Sequence, residues 1–252
     1  MESSKKLYIL IGVLVLIVLI LFSVWFFTRE RPSPTEEEST VSLCPKQITY
    51  QGDVYNTVEI GKQCWLGKNL KTSSYRDGTA IPKLTASTEW TEDKQGAYSC
   101  YYNQESYCDD YGALYNWYAV NNKKGLCPED WSVPSHQQWV ELERAVCQDL
   151  GYQDCQERFP DESALGWRGT DEGLHLFSAG LGGKDKYGFG AILGGFRNAA
   201  GPYLYLEESG IWWTATAAED TAYGIIMSRD NNGIRQVETS KSSGLSVRCV
   251  KD

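Results

Sequence analysis

An uncharged apolar run from Leu7 to Phe27 constrains this chain more than any other sequence feature. Its 21 residues are enough for a helix that rises about 1.5 Å per residue to cross roughly 30 Å of hydrocarbon. A cleaved signal peptide would have a shorter apolar core and a small-residue cleavage site, which residues 28–32 do not offer. The sequence therefore predicts a transmembrane signal anchor at residues 7–27, preceded by a short cytoplasmic end at residues 1–6.

The cysteines indicate on which side of the membrane the rest of the chain lies. All eight follow the apolar run, between Cys44 and Cys249. An even number of cysteines on one side is typical of disulfides in an oxidising compartment. Basic residues flank the run almost equally and set no orientation. We expect a single-pass cell-membrane protein with a cytoplasmic N-terminus, a flexible Pro-, Ser-, Thr- and Glu-rich linker at residues 28–43, and an extracytoplasmic domain.

Composition excludes several functions for the remaining region, residues 44–252. The chain has a formal net charge of −9, whereas proteins that bind nucleic acid present a basic surface. Only two histidines are present, which excludes a multi-histidine zinc site and leaves little room for Ser–His catalysis. We therefore predict no nucleic-acid partner and no catalytic residues in a domain long enough to bury its own core.

Residue patterning in this region predicts an α+β fold of mostly short antiparallel strands and long loops. Short apolar or alternating runs are separated by glycines, and residues 67–97 have no clear period and read as loop. Asn231–Gly233 predicts a hairpin turn, because Asn and Gly tolerate positive φ. The predicted strands are Gln47–Tyr50, Val54–Ile60, Gln63–Leu66, Tyr98–Tyr102, Phe189–Asn198, Ile211–Thr216, Ala222–Arg229, Gly233–Glu238 and Leu245–Val250.

One clear helix is predicted at about residues 135–150. Ser135 and Gln138 have the spacing of a capping box. Trp139, Leu142 and Val146 then follow at intervals of three and four, which places them on one apolar helix face. A second, shorter helix is predicted over residues 162–167.

Eight short strings, in order, resemble one known family. They are Tyr55–Gly61, Gln63–Trp65, Lys68–Leu70, Gly112–Trp117, Cys127–Ser135, Gly194–Asn198, Trp212–Thr216 and Gly244–Asp252. Together they resemble the Fibrobacter succinogenes major paralogous domain over about residues 47–252. The resemblance implies a bacterial surface or secreted module, often at the end of an anchored protein. It also implies a fold like that of C-type lectins and formylglycine-generating enzymes, and it names no settled activity.

The resemblance also indicates where a ligand would bind. Some members look like variable targets of diversity-generating retroelements, whose C-terminal strands carry the ligand surface, here about residues 198–240. Aromatic rings can stack on sugar faces, and Asn and Arg can bond hydroxyls. Tyr203 and Tyr205 would share one strand face, and at least one of Trp212 and Trp213 belongs to the core. The candidate ligand residues are Asn198, Tyr203, Tyr205, Tyr223, Arg229, Asn231 and Arg235.

The eight cysteines allow 105 pairings, which sequence alone does not resolve. Short spacings favour two local loops, and a third pair flanks the first hairpin. The last pair would join the middle of the domain to its final strand, a long-range tie compatible with the C-type-lectin resemblance. The favoured pairs are Cys44–Cys64, Cys100–Cys108, Cys147–Cys155 and Cys127–Cys249.

Calcium is the one cofactor that a lectin-like domain would suggest. It needs six to eight oxygen ligands, and the lectin motifs E-P-N, Q-P-D and W-N-D do not occur in the chain. Asp109 and Asp110, beside Cys108, are the best candidates among acidic pairs that are typical of solvated surface. No cofactor is otherwise expected.

These features predict a membrane-anchored binding module that recognises a glycan or a surface protein through its C-terminal strands. Two alternatives stay open. A formylglycine-generating-type oxidase would use nearby cysteines for copper and oxygen chemistry, a possibility that rests on fold analogy alone. A purely structural cell-envelope protein would have no small ligand.

Overall fold

A computed structural model of the protein describes residues 14, 16–23, 25, 44–160 and 164–252. Within the first three of these ranges the residues are helical. The predicted anchor at residues 7–27 is only partly described, and the predicted linker at residues 28–43 lies outside the described residues. In the described part of the chain, no helix has the length and apolar character needed to cross a membrane. Leu43–Asp252 forms a compact unit of its own.

This unit is a mixed α and β domain made mostly of strands. The strands are β1 (Gln47–Tyr50), β2 (Asp53–Ile60), β3 (Gln63–Leu66), β4 (Tyr98–Ser99), β5 (Leu114–Tyr115), β6 (Trp131–Ser132), β7 (Gly166–Arg168), β8 (Gly194–Arg197), β9 (Tyr203–Leu206), β10 (Ser209–Ala217), β11 (Thr221–Ser228), β12 (Asn231–Ser240) and β13 (Val250–Lys251). The helices are α1 (Ser87–Glu92), α2 (Glu105–Tyr111), α3 (Trp117–Val120), α4 (His136–Asp149), α5 (Cys155–Arg158) and α6 (Glu172–Leu176), with 3-10 turns at Tyr101–Asn103 and Ala179–Leu181.

Two sheets organise the domain. Strands β1, β2, β3, β13 and β6 form a five-stranded sheet in that order, so the last strand of the chain lies between β3 and β6. Strands β7, β12, β11, β10, β8 and β9 form a six-stranded sheet in that order. Its centre is an antiparallel meander of β10, β11 and β12, whereas β8 runs parallel to β10.

Buried side chains lie on both faces of the six-stranded sheet. Trp213 belongs to a first core together with Leu66, Tyr115 and Val247. Its neighbour Trp212 points to the opposite face and joins a second core. Because successive strand residues alternate between faces, both tryptophans are fully buried rather than only one of them.

Helix α4 covers the second core, as its sequence period predicted. Ser135 caps it, accepting a hydrogen bond from the Gln138 amide, while the Gln138 side chain accepts one from the Ser135 amide. Trp139, Leu142 and Val146 are all fully buried in the second core. The Trp139 ring lies 4.9 Å from that of Trp65 on β3, so the helix joins the two sheets.

All eight cysteines form disulfides. The pairs are Cys44–Cys64, Cys100–Cys108, Cys127–Cys249 and Cys147–Cys155. They are the same four pairs that residue spacing favoured. Cys127–Cys249 spans 122 residues and ties the segment before β6 to the segment before β13.

Two predicted strands are largely irregular. In residues 189–198 only Gly194–Arg197 is a strand, because Gly190 has a φ of +60° that interrupts the extended backbone. In residues 245–250 only Val250 lies in a strand. The amides of Leu245 and Ser246 bond to different elements, at the Tyr115 and Ile211 carbonyls, so no continuous ladder forms.

Four further local predictions are wrong. Strand β4 ends at Ser99, and a 3-10 turn follows it. Residues 67–97 are not entirely loop, because they contain α1. Gly166–Trp167 is strand rather than helix, since Trp167 pairs with Arg235 of β12; residues 162 and 163 lie outside the described residues. The β11–β12 turn lies at residues 229–230, because Ser228 already pairs with Asn231.

Candidate functional site

A groove lies on the face of the six-stranded sheet that also carries Trp213. Its volume is about 840 Å³. Its floor includes a row of side chains from four neighbouring strands. In this row Ile211 pairs with Ile226, Ile226 pairs with Arg235, and Arg235 pairs with Trp167. The lining includes Trp167, Phe196, Tyr205, Glu208, Ile211, Ile226, Ser228, Arg229, Asp230, Arg235, Val237, Glu238 and Leu245.

The groove exists because the first core covers only part of this face. Trp213 and Ala222 are covered by that core, and Leu245 closes the groove on that side. Further along the same strands, Ile226 is only partly buried and Arg235 is exposed. The alternating pattern therefore leaves one end of the sheet face open to solvent.

Aromatic rings stand at two edges of the groove. Trp167, on edge strand β7, is 41% exposed. At the other side Tyr205 is 54% exposed, and its ring stacks on Phe196 at 5.8 Å and 20°. Exposed aromatic side chains around a concavity are typical of surfaces that bind a ligand or a partner.

The groove also holds charged groups of both signs. Arg229 and Arg235 make no side-chain hydrogen bond or ion pair with the residues that the structure describes, although the Arg235 guanidinium lies 6.0 Å from the Trp167 ring centre. Of the carboxylates, Asp230 accepts a hydrogen bond from Ser228, and Glu238 accepts one from Thr221 at 2.8 Å. The groove thus offers two guanidinium donors beside carboxylate acceptors.

The structure brings three of the seven predicted ligand residues into the groove: Tyr205, Arg229 and Arg235. The other four lie elsewhere. Asn198 and Asn231 accept hydrogen bonds from the amides of Ala200 and Gly233, so each closes a local turn. The Tyr223 ring lies 5.7 Å from that of His136, and Tyr203 packs against Tyr101.

The prediction that Tyr203 and Tyr205 share a strand face is wrong. Tyr205 has a φ of +61°, which breaks the alternation that an extended strand would impose. The Tyr205 ring consequently stacks on Phe196, while the Tyr203 ring lies 5.0 Å from the guanidinium of Arg197, the next residue on β8. Phe196 and Arg197 are neighbours on β8 and point to opposite faces of the sheet. Because Tyr205 contacts Phe196 and Tyr203 contacts Arg197, the two tyrosines also lie on opposite faces.

Sequence reasoning missed Trp167 and Phe196. Residue patterning predicts a helix at Trp167, whereas the structure has Trp167 in the short strand β7. The sequence marks Phe196 only as part of the string Gly194–Asn198 that resembles the family. Nothing local marks Trp167 as exposed, because its position depends on pairing with Arg235, 68 residues away along the chain. Phe196, which is partly buried, pairs with Leu204, 8 residues later, and it reaches the groove through the packing of β8 against β10.

A buried ion pair supports the Trp167 edge from beneath. Arg168 lies 2.8 Å from the Glu143 carboxylate of α4, and it donates a hydrogen bond to Gln236 at 2.7 Å. Glu143 is fully buried. Because Trp167 and Arg168 are neighbours on β7, holding Arg168 under the sheet keeps Trp167 on the groove side.

Burial raises the pKa of Glu143 to about 7, despite the opposing attraction of Arg168. A carboxyl group that is protonated more readily when folded stabilises the fold at low pH. We expect the contribution of Glu143 to the free energy of unfolding to fall between about pH 4.5 and 7, by up to roughly 1.4 kcal/mol per pH unit. Urea titrations across this range would measure the slope.

Glu143→Gln should flatten that slope, because no carboxyl group then titrates at this position. Glu141→Gln, at an exposed position of the same helix, serves as the matched control and should leave the slope in place. An unchanged slope in Glu143→Gln would contradict the assignment.

The calcium candidates occupy exposed positions on α2. Asp109 forms a 2.8 Å ion pair with Lys71, which lowers the pKa of that carboxyl group. Nearby, Cys100, Glu105 and Cys108 lie within 4.8 Å of one another, but both sulfur atoms belong to one disulfide and offer no thiolate to a metal. Calcium binding stays a prediction.

The fold and groove define a disulfide-linked, mostly β domain with an open sheet face. The model of the Fibrobacter succinogenes major domain family matches residues 58–251. The chain belongs to this family. No curated protein and no solved structure matches it significantly.

Proposed function

We propose that the domain is an extracytoplasmic binding module that recognises a glycan in the groove. The observation that carries this proposal is the groove itself, with exposed aromatic rings beside free guanidinium groups. Sites for small ligands are concave, mostly apolar and lined by a few polar groups that fix orientation. Trp167 and Tyr205 would stack on sugar rings, and Arg229 and Arg235 would donate to hydroxyl oxygens.

The disulfides support the extracytoplasmic part of the proposal. Eight cysteines in four disulfides suit an oxidising compartment. The apolar run at residues 7–27 would then be the anchor, with the N-terminus in the cytoplasm, and the lectin-like fold remains an expectation from the resemblance.

The oxidase alternative receives less support. Copper and oxygen chemistry of that kind requires a thiolate, and every cysteine of the chain is paired in a disulfide. The alternative would therefore require reduction of one pair before any reaction.

Removing the two exposed rings tests the binding proposal. We expect the double variant Trp167→Ala with Tyr205→Ala to lose at least tenfold in affinity, about 1.4 kcal/mol, because aromatic anchors dominate contact energies. The full-length protein would be screened on an array of neutral and acidic glycans, and each hit would be measured by calorimetry.

Tyr118→Ala is the matched control, because Tyr118 lines a different hollow beside Lys94. It should keep the affinity of the unmodified protein. Full affinity in the double variant, or the lack of any glycan ligand on the array, would contradict the proposal. In the second case a protein ligand or a structural role becomes the better interpretation.

A further inference from the structure

We propose that the binding surface continues from the groove around the edge strand β9 onto a cluster of tyrosines, and that its ligand is an uncharged saccharide chain long enough to contact both. This inference rests on the proposed function and adds the extent of the site and the class of glycan. The tyrosine cluster is Tyr101, Tyr102, Tyr107, Tyr111 and Tyr203.

The rings of the tyrosine cluster contact one another in a continuous series. The Tyr101 ring lies 4.7 Å from Tyr102, 5.8 Å from Tyr107 and 5.1 Å from Tyr203. Tyr107 continues the series to Tyr111 at 6.0 Å. Tyr101 is buried and Tyr102 is 56% exposed, so the cluster has a buried base and an exposed ring.

The backbone that presents Tyr102 is held in an unfavourable conformation. Tyr102 and Asn103 have φ values of +48° and +61°, in the left-handed region, which Asn tolerates but a tyrosine seldom occupies. The Cys100–Cys108 disulfide closes this segment. Asn103 accepts a hydrogen bond from the Tyr203 hydroxyl at 2.7 Å and thereby fixes the turn to β9. Strain held in place by surrounding contacts is typical of functional surfaces.

Strand β9 connects the cluster to the groove. Tyr203 faces the cluster, Tyr205 faces the groove, and Leu204 between them is 37% exposed. In the described residues of the domain, the large hydrophobic side chains that remain exposed are Val54, Tyr102, Leu165, Trp167, Leu204 and Tyr205. All but Val54 lie at or beside β7, β9 or the tyrosine cluster. This grouping differs from the scattered exposure that is normal on a protein surface.

The dimensions favour an elongated ligand. Strand β7, which carries Trp167, and strand β9 are five positions apart in the sheet order. At about 4.8 Å per strand this separation is roughly 24 Å. A chain of several sugar units can reach from Trp167 past Tyr205 to Tyr102, whereas a single sugar cannot.

Charge favours an uncharged chain. The whole chain carries −9, which repels polyanions, and the two groove arginines lie among three carboxylates. At the tyrosine cluster, Glu105 is paired with Lys83, and Glu207 accepts a hydrogen bond from the Tyr111 hydroxyl at 3.4 Å. The cluster therefore offers rings, hydroxyls and carboxylate oxygens, which do not attract a polyanion. Hydroxyl groups of a neutral sugar both donate and accept hydrogen bonds, so they suit guanidinium and carboxylate groups together.

The alternative of a peptide added as a strand to the edge at β9 fits less well. Tyr205 and Glu207 both have a φ of +61°, which interrupts the regular row of backbone groups that an added strand needs. The edge at β9 therefore offers side chains to a ligand rather than a regular row of backbone donors and acceptors.

The test uses calorimetry on the full-length protein with neutral unbranched oligosaccharides of glucan, xylan and mannan, from two to ten units. We expect affinity to rise with length. Tyr102→Ala should weaken the longest ligand at least fivefold and leave the shortest within twofold, whereas Tyr205→Ala should weaken both. Tyr102→Asn repeats the ring deletion with a residue that tolerates positive φ, so misfolding is controlled for.

The possible failures are distinguishable. If both Tyr102 variants bind the longest ligand normally while Tyr205→Ala weakens it, the extension is wrong and the groove proposal stands. If no glycan binds, either in this series or on the array, or if Tyr205→Ala has no effect on a bound oligosaccharide, the proposed function fails as well. Preferential binding of acidic oligosaccharides or of a protein would overturn the uncharged saccharide chain as the ligand.

Discussion

Arg248→Met should destabilise the domain by at least about 3 kcal/mol, because it strips hydrogen-bond donors from several buried acceptors. Arg248 is fully buried, and among the described residues it makes no direct ion pair, although the Asp185 carboxylate attracts it electrostatically. It donates to the Leu66 carbonyl at 3.0 Å, to the Phe189 carbonyl, and to the Asn69 side chain at 2.8 Å. Methionine keeps much of the volume, so the loss would report mainly on these bonds.

The position of Arg248 explains the size of the effect. Its backbone acceptors are the carbonyl of Leu66, at the end of β3, and the carbonyl of Phe189, in the irregular segment before β8. At these positions Arg248 supplies hydrogen bonds that a regular β ladder would otherwise provide. Burial lowers the pKa of Arg248 to about 9, so the guanidinium stays charged at neutral pH. The Phe189 ring, 4.4 Å away, provides a further favourable contact with the cation.

Urea unfolding followed by tryptophan fluorescence would measure this change. Arg229→Ala is the control, because Arg229 is exposed in the groove and should shift the free energy of unfolding by no more than about 0.5 kcal/mol. Equal stability of the two variants would show that the Arg248 contacts contribute little.

Removal of the Cys127–Cys249 disulfide should cost about 5 kcal/mol in the chain-entropy model. The bond closes a loop across 122 residues, so its loss enlarges the unfolded ensemble greatly. The double variant Cys127→Ala with Cys249→Ala would be compared with the unmodified protein by denaturant titration under oxidising conditions. Both cysteines are buried, so a small additional packing loss accompanies the change.

The Cys100–Cys108 pair provides the control for loop length. It spans only 8 residues, for which the same model predicts a loss of about 2.6 kcal/mol. A loss for the long-range pair that does not exceed the loss for the short-range pair would contradict the entropic argument.

Features with local causes were predictable from the sequence. The spacing of Ser135 and Gln138 and the apolar face that follows predicted helix α4 within one residue at each end. Strands β1 and β3 match their predicted bounds, because glycine-containing turns delimit these short runs. Residue spacing favoured the four cysteine pairs without excluding the other pairings, and the structure has those four.

Features with distant causes were not predictable. Leu245 and Ser246 alternate like a strand, yet their amides bond to separate elements of the first core. Tyr205 was expected beside Tyr203, but its positive φ turns its ring into the groove. Neither outcome has a signature in the neighbouring residues.

The sequence by itself determined the family, the short-range turns, helix α4 and the chemical kinds of residue available to a ligand. Only the tertiary structure decided which of these residues meet. The groove arises where the first core stops short of covering the six-stranded sheet, and Trp167 reaches it through pairing with Arg235, 68 residues later. Local patterns record which face of a strand is apolar, whereas the area left open depends on how distant segments pack over that face.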